Sequence, residues 1–235
     1  MKKRRLSFSA ELSIIVSLIL LAANIILGKV LLDNSRRAIM EQIDNRMLDI
    51  VNTAADMLDG DILRDVQRED KGTPEYMQLE DTLRVFQDNI NLKYIYGIRD
   101  MGNKEFTFTI DPAVSDPGEF GTPVHYTDAL YEASLGTPAV DKVPYSDDWG
   151  RFYSAYSPVF DSDGNVAGII AVDFSADWYD AQIAEMNRVI FYGSLYEAII
   201  GVSLIFWVTG RMRKNFLQEM GATEDETDVS EANDH

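Results

Sequence analysis

Hydrophobic and polar positions alternate most clearly along residues 149–174. Two β-rich runs flank the polar cluster at 161–165 (DSDGN). This pattern predicts a hairpin whose turn glycine takes the left-handed conformation, which glycine adopts without steric cost. Counting outward from the turn pairs Tyr153 with Asp173. Because side chains alternate along a strand, this register puts Arg151, Tyr153 and Asp173 on one face, and a slip of one residue would separate Asp173 from the other two.

The other face of this hairpin is predicted to be a core face, since its residues are almost all apolar. It carries Phe152, Tyr156, Pro158, Phe160, Val166, Ile170, Val172 and Phe174.

Two long apolar runs, residues 12–32 and 189–210, predict helices that cross a membrane, because about 20 apolar residues span a bilayer. Basic residues precede the first run, in the segment 1–11, and follow the second, in the segment 211–235. Positive residues beside a span favour the cytoplasm. We therefore expect a two-pass protein of a bacterial cell membrane, with both termini cytoplasmic and residues 33–188 outside. A cleaved signal peptide is the alternative for the first run.

Asn24 and Glu197 are polar positions inside these runs. An ionisable group within a span is costly and usually faces a partner. The sequence leaves three alternatives open: a contact between Asn24 and Glu197, a contact between two copies of Glu197 in a dimer, or access of Glu197 to interfacial water.

The outer segment begins with a helical pattern that continues directly from the first apolar run. Its apolar residues recur at three- and four-residue steps: Ile39, Ile43, Met47, Ile50, Ala54, Met57 or Leu58, Ile62 and Val66. This stripe can pack on its own domain or on a second copy, and we expect a homodimer along it. The break at 71–74 (KGTP) ends the pattern. A second helix follows, with Tyr76, Leu79, Leu83, Phe86 and Ile90 on one face.

From residue 93 onward the hydrophobic period changes to two, which is typical of strands. The predicted elements are strands at 94–99 and 105–110, a loop at 111–124, a short helix at 126–134, the hairpin strands, and a helix at 176–188. This order predicts an α+β domain with a PAS-like antiparallel sheet, helices against one face and loops against the other.

Composition excludes several classes of function. The formal net charge of −18 argues against a nucleic-acid partner, because phosphate binding needs a basic surface. The absence of cysteine excludes disulfides and thiolate metal sites, and only His125 and His235 remain as imidazole ligands. The acidic cluster at 161–165 lacks the spacing of an EF-hand. We therefore expect no metal and no cofactor, and because no catalytic output domain is recognisable in the sequence we expect no enzymatic activity. A paired-carboxylate hydrolase is disfavoured because nothing in the sequence distinguishes an acid from a base.

Several segments resemble a bacterial extracytoplasmic Cache sensor domain, which is PAS-like and of the PDC type. These segments are 144–150 (PYSDDWG), 154–159 (SAYSPV), 163–164 (DG), 168–173 (GIIAVD) and 116–121 (DPGEFG). The resemblance covers about residues 33–188. Such domains occur in chemoreceptors, sensor histidine kinases and membrane-bound diguanylate cyclases.

The resemblance implies a ligand site around Asp173, at the position where an aspartate holds the ligand ammonium in amino-acid-binding members. Arg151, with Trp149 and Tyr153, approximates the group that holds the ligand carboxylate, although here the tryptophan precedes the arginine. Four more side chains are candidates to line this pocket from adjacent strands: Tyr94, Arg99, Thr107 and Thr109.

We therefore expect a membrane-anchored receptor that senses a small polar metabolite, an amino acid or a carboxylate, and transmits a conformational change. Residues 211–235 are expected to form a cytoplasmic helical stub and an acidic disordered tail. No cyclase, kinase or chemoreceptor signature occurs in the chain, so output is expected from a cytoplasmic partner. The alternatives are a truncated cyclase or kinase sensor portion, and a membrane scaffold that binds another protein.

Overall fold

The computed structural model describes the backbone of residues 8–233 and the side chains of residues 11–215. It forms two compact units. One comprises residues 37–184, and the other comprises the two chain ends, up to Arg36 and from Glu185 onward. The basic cluster at residues 2–5, on which the predicted orientation partly depends, lies outside the described residues.

Two long helices provide the apolar segments. Helix α1 is Phe8–Asp56 and helix α5 is Ala176–Asn233. Each contains a stretch that is long and apolar enough to cross a membrane, by length and composition. Side chains such as those of Ile25 and Phe191 are exposed there, as expected of surface that faces lipid.

Helix α5 also continues past residue 221, so the structure does not show the predicted disorder in this segment. Residues 221–235 contain no proline. Proline is the residue that most strongly breaks a helix, so nothing in this composition forbids one.

The first helix of the folded domain ends earlier than its apolar stripe predicts. After α1 stops at Asp56, a separate short helix, α2 (Gly60–Asp65), begins, and the side chain of Asp59 caps it by accepting a hydrogen bond from the Ile62 N–H. A Cβ at Gly60 would lie 2.1 Å from the Phe160 carbonyl oxygen, so the backbone approaches the hairpin closely here. The predicted single helix through residue 66 is therefore wrong.

The second predicted helix is confirmed as α3 (Pro74–Asn89), and the predicted face, with Tyr76, Leu79, Leu83 and Phe86, is buried. Thr73 caps this helix by accepting a hydrogen bond from the Tyr76 N–H. The short third helix is α4 (Asp128–Ser134), and Thr127 caps it in the same way.

The sheet contains the four predicted strands and two shorter ones. In chain order the strands are β1 (Tyr94–Asp100), β2 (Phe106–Phe108), β3 (Ala139–Val140), β4 (Tyr145–Asp147), β5 (Gly150–Phe160) and β6 (Val166–Ser175). All the pairings are antiparallel, in the order β2-β1-β6-β5-β3, and β4 also pairs with β5. The predicted α+β class with an antiparallel sheet is confirmed.

The β5–β6 hairpin has the predicted turn but not the predicted register. Gly164 has φ of +81°, in the left-handed region. Phe160 pairs with Val166 and Val159 with Gly168, so a bulge leaves Ala167 as an extra residue. Beyond the bulge every pairing moves by one, and Asp173 lies opposite Ser154 instead of Tyr153.

Both faces of the sheet are covered, as predicted. Helices α1, α2, α3 and the start of α5 pack on one face, whereas α4 packs on the other. Because both faces are buried, the hairpin has two core faces instead of the predicted one. Phe152 and Tyr156 share a face with Asp173, while Val172 and Phe174 point to the helices.

The apolar stripe of α1 packs against this sheet within the same chain. Ile43, Met47, Val51 and Ala54 are buried in the helix-side core. Its own domain therefore covers Ile43, Met47 and Ala54 of the stripe, whereas Ile39 and Ile50 are only partly buried. The predicted homodimer loses this support and remains a prediction.

Candidate ligand-binding site

Asp173 is a buried carboxylate near the end of β6, with only 2% of its surface exposed. The Ser154 hydroxyl, on the neighbouring strand, donates a 2.5 Å hydrogen bond to its Oδ1. The Tyr96 hydroxyl donates a further hydrogen bond to the carboxylate from β1. The Tyr145 hydroxyl lies 3.1 Å from the Ser154 oxygen and extends the network to β4.

Burial dominates the electrostatics of this carboxyl group and raises the pKa of Asp173 to about 7. The negative charges of Asp147 and Asp141 raise the pKa further, whereas the hydrogen bonds from Ser154 and Tyr96 lower it. A cation placed beside Asp173 would therefore stabilise the ionised carboxylate strongly.

A small cavity of about 20 Å³ lies beside Asp173. It is lined by Tyr94, Tyr96, Phe108, Asp111, Asp116, Gly118, Asp147, Trp149 and Asp173. A second cavity of about 300 Å³ shares Tyr96, Phe108, Asp147 and Trp149 with it and continues to Tyr145 and His125. The inner cavity holds about one water molecule as it stands. A metabolite would therefore occupy the outer cavity or widen the inner one.

The loop at 111–121 contributes three residues to the wall of the inner cavity. The carboxylate of Asp111 accepts hydrogen bonds from the N–H groups of Ala113 at 2.8 Å and Gly118 at 2.7 Å. A Cβ at Gly118 would lie 2.6 Å from the Phe108 ring, so glycine allows the loop to contact this ring. Asp116 has φ of +53°, a left-handed conformation that is uncommon for a residue with a side chain.

The register shift removes Arg151 and Tyr153 from the neighbourhood of Asp173, contrary to the predicted cluster. Arg151 bonds to Asp180 at 2.8 Å on the surface. The ring of Tyr153 stacks on Tyr179, with 4.2 Å between ring centroids, in the core on the helix side. Asp173 thus remains a candidate for the ligand site, whereas Arg151 and Tyr153 make structural contacts elsewhere.

Three further candidates, Arg99, Thr107 and Thr109, also lie away from the cavity. Nη2 of Arg99 donates hydrogen bonds to the carbonyl oxygens of three residues around the end of α2, namely Leu63, Arg64 and Val66. Thr107 pairs with Arg99 across the strands. A Cβ at Gly97 would lie 2.5 Å from Oγ1 of Thr109, so that threonine packs under the β1 backbone.

Tyr94 and Trp149 are the other predicted candidates that line the cavity with Asp173. Sequence reasoning missed Tyr96, Ser154 and Asp147. Strand alternation offered a signal for Tyr96, because it lies two residues after Tyr94 on the same face. Nothing local predicts Ser154, because its position depends on the bulge.

A larger, open groove of about 860 Å³ lies between α1 and residues 125–145. Lys142 and Asp44, on opposite sides of it, form an ion pair at 3.2 Å. Burial raises the pKa of Asp141, which lines this groove, to about 6, and Tyr156 donates a 3.2 Å hydrogen bond to it. We favour the cavity at Asp173 as the ligand site because its lining combines a buried carboxylate with four aromatic rings, although it is much smaller.

In the unit formed by the chain ends, Asn24 and Glu197 line one cavity of about 200 Å³. The predicted contact between them stays a prediction, as do its alternatives.

No family model and no curated protein matches the sequence. Solved structures do resemble the fold. The ligand-binding domain of the Campylobacter jejuni chemoreceptor Tlp3, in complex with L-norvaline, is 14% identical with a TM-score of 0.47; the match covers 70% of this chain and 63% of that one. This chain thus spans less than two thirds of the Tlp3 domain.

Two other similar structures come from different receptors. The ligand-binding domain of the Pseudomonas aeruginosa PAO1 amino acid chemoreceptor PctC, in complex with GABA, is 17% identical with a TM-score of 0.44; the match covers 69% of this chain and 68% of that one. The Escherichia coli DcuS sensor domain is 16% identical with a TM-score of 0.42; the match covers 61% of this chain and 96% of that one. Two of these three structures are ligand-binding domains of chemoreceptors, and the third is a sensor domain.

Proposed function

We propose that the chain is a membrane-anchored receptor whose domain at residues 37–184 binds a small polar metabolite beside Asp173. The observation that carries this proposal is a buried carboxylate in the wall of a cavity, with a pKa raised to about 7. Burial of an ionisable group is costly unless something compensates it, and such groups in clefts cluster at functional sites.

The proposed topology has two passes, with the domain outside the cell membrane and both termini in the cytoplasm. Two apolar helical segments flank the domain in the sequence, and the basic residues Arg211, Arg213 and Lys214 follow the second. Positive residues beside a span favour the cytoplasmic side.

Chain continuity offers a route for the signal. Strand β6, which carries Asp173, ends at Ser175, and α5 begins at the next residue and contains the second apolar segment. A ligand that moves the end of β6 would therefore act on the start of this helix. We propose that a cytoplasmic partner supplies the output.

The rival function is a scaffold whose domain binds another protein. A scaffold has no use for a part-polar cavity with a buried carboxylate, whereas a receptor for a small ligand needs a pocket with a few polar groups. The cavity at Asp173 therefore supports the receptor over the scaffold.

The proposal is tested with full-length protein in mild detergent, by a thermal-shift screen against amines, amino acids and small carboxylates. Binding to the native state raises the unfolding midpoint. Charge-assisted hydrogen bonds are worth about 1.5–3 kcal/mol, so Asp173→Ala should weaken affinity about 10- to 150-fold. Asp180→Ala removes an exposed carboxylate and should leave affinity unchanged. If every stabilising compound shifts the Asp173→Ala variant as much as the wild type, the site is elsewhere.

A further inference from the structure

Aromatic rings form one connected wall of the inner cavity. The Tyr96 and Phe108 rings lie 4.8 Å apart between centroids, and the Trp149 ring meets Phe108 edge-on at 5.7 Å. Tyr94 adds a fourth ring to the lining. The faces of such rings attract cations through their quadrupole, and the attraction strengthens where water is excluded.

All the remaining side chains in the lining are carboxylates. Asp111, Asp116, Asp147 and Asp173 line the same cavity as the four rings, and Gly118 completes it. Among the side chains that the structure describes, no arginine or lysine belongs to this lining. Two lysines lie outside the lining: the ammonium of exposed Lys93 is 5.4 Å from the centroid of the Tyr94 ring, and the charge of Lys71 lowers the pKa of Asp111 slightly against the effect of burial. Every charge in the wall is therefore negative.

A metal ion does not suit this wall. Among residues 11–215, no group of three or more His, Asp or Glu side chains is arranged to hold one. The Asp111 carboxylate is already engaged with two backbone N–H groups. The lining instead combines carboxylates with aromatic rings, the two kinds of group that attract an organic cation.

An α-amino acid does not suit this wall either. Its carboxylate would lie beside four aspartates in a lining that contains no guanidinium or ammonium among the described residues, and like charges repel. Arg151, the residue that the sequence resemblance offered for this task, is engaged with Asp180 on the other face of the sheet.

Because the inner cavity holds about one water molecule, a larger ligand extends into the outer cavity of about 300 Å³, whose described lining also contains no arginine or lysine. We infer that the two cavities together select small organic ammonium compounds that lack a carboxylate, through the aromatic rings and the Asp173 carboxylate. This inference rests on the proposed function of the same cavity and names the class of its ligand. Because burial raises the pKa of Asp173 to about 7, a bound cation would lower that pKa, and binding would release a proton near neutral pH.

The test compares matched probes that differ in a carboxylate, with full-length protein in detergent and isothermal titration calorimetry. The pairs are choline with glycine betaine, and ethanolamine with glycine. At least one ammonium compound should bind, and at least 10-fold more tightly than its carboxylate counterpart. If glycine or glycine betaine binds as tightly, and Asp173→Ala abolishes that binding, the proposed function stands and this inference is wrong. If no member of either pair binds, the inference is overturned, while the wider screen still decides the proposed function.

Two substitutions of Trp149 test the role of the aromatic rings while keeping a large apolar side chain at this position. Trp149→Phe keeps a ring, whereas Trp149→Leu keeps apolar bulk and removes the ring. Cation–π attraction of about 0.5–2 kcal/mol corresponds to a loss of about 2- to 30-fold in affinity for Trp149→Leu, with a smaller loss for Trp149→Phe. The unfolding midpoint without ligand shows whether each variant folds. Equal affinity in folded Trp149→Leu and wild type would contradict the role of the rings.

Discussion

The Ser154 hydroxyl donates a 2.5 Å hydrogen bond to Oδ1 of Asp173 across the β5–β6 pair. Both side chains are fully buried or nearly so, and the bulge at Ala167 brings them opposite each other. Ser154 thus stabilises the ionised form of a carboxylate whose burial favours the neutral form. The predictions below follow from this placement.

Ser154→Ala should raise the pKa of Asp173 above its value of about 7, because it removes a hydrogen bond to the charged form. A hydrogen bond to a charged group is worth about 1.5–3 kcal/mol, which corresponds to about one to two pKa units. Titration of the aspartate carboxyl carbons by NMR measures the shift. Ser157→Ala, which alters a buried serine on the other face of the strand, should leave this pKa unchanged. An unchanged pKa in Ser154→Ala would show that the hydrogen bond is not formed in solution.

Asp173→Asn should make the domain more stable than wild type at high pH. The folded-state pKa of about 7 lies above the unfolded value of about 3.9. The stabilising contribution of this carboxyl is thus fully present below the unfolded pKa and is lost as pH rises through 7. From pH 5 to pH 8 the thermal unfolding midpoint of Asp173→Asn should therefore rise relative to that of wild type.

Asp141 also lowers the stability of both proteins as pH rises, since burial raises its pKa to about 6. Asp180→Asn, at an exposed position, serves as the control and should follow wild type. A constant difference in midpoint between Asp173→Asn and wild type from pH 5 to pH 8 would contradict the raised pKa of Asp173.

Arg99→Met should destabilise the domain without changing ligand affinity. Arg99 holds the carbonyl oxygens of Leu63, Arg64 and Val66, and losing these charge-assisted bonds should cost about 1.5–3 kcal/mol. Arg84→Met removes only helix-surface ion pairs with Glu80 and Asp81 and should cost less than about 1 kcal/mol. Chemical denaturation measures both changes. If Arg99→Met binds ligand more weakly under conditions where it is fully folded, Arg99 belongs to the ligand site after all.

Arg151→Ala should leave ligand affinity unchanged. Its ion pairs with Asp177 and Asp180 are on the surface, where such pairs contribute about 0–1 kcal/mol. Isothermal titration calorimetry compares the ligand affinity of this variant with that of Asp173→Ala, whose side chain lies on the opposite face of the sheet. Loss of binding in both variants would favour the register that pairs Tyr153 with Asp173.

A single cysteine at Asn165 should react with a membrane-impermeant thiol reagent on intact cells, because the proposed topology puts the hairpin turn outside. The natural sequence has no cysteine, so the label reports one site only. Ser230→Cys should react only after the cells are opened. Labelling at 230 together with protection at 165 would reverse the orientation.

The sequence by itself determined the features that depend on neighbouring residues. The apolar runs, the face of α3, the left-handed turn at Gly164 and the α+β order all follow from local periodicity and turn chemistry. Strand position and the family resemblance predict Asp173, the resemblance predicts Trp149, and an adjacent strand predicts Tyr94; all three line the cavity. The strands β3 and β4 were not predicted because two or three residues are too few to show a hydrophobic periodicity.

Only the tertiary structure decided which side chains surround Asp173. A bulge adds one residue to β6, and since side chains on a strand alternate with a period of two, that residue exchanges Tyr153 for Ser154 as the partner of Asp173. The same shift sends Arg151 to the opposite face. The cavity also needs Asp111 and Asp116 from a loop, whose path depends on contacts distant in sequence, such as Gly118 against Phe108. Hydrophobic periodicity is equally satisfied by either register when both faces are buried, so the packed sheet alone selects between them.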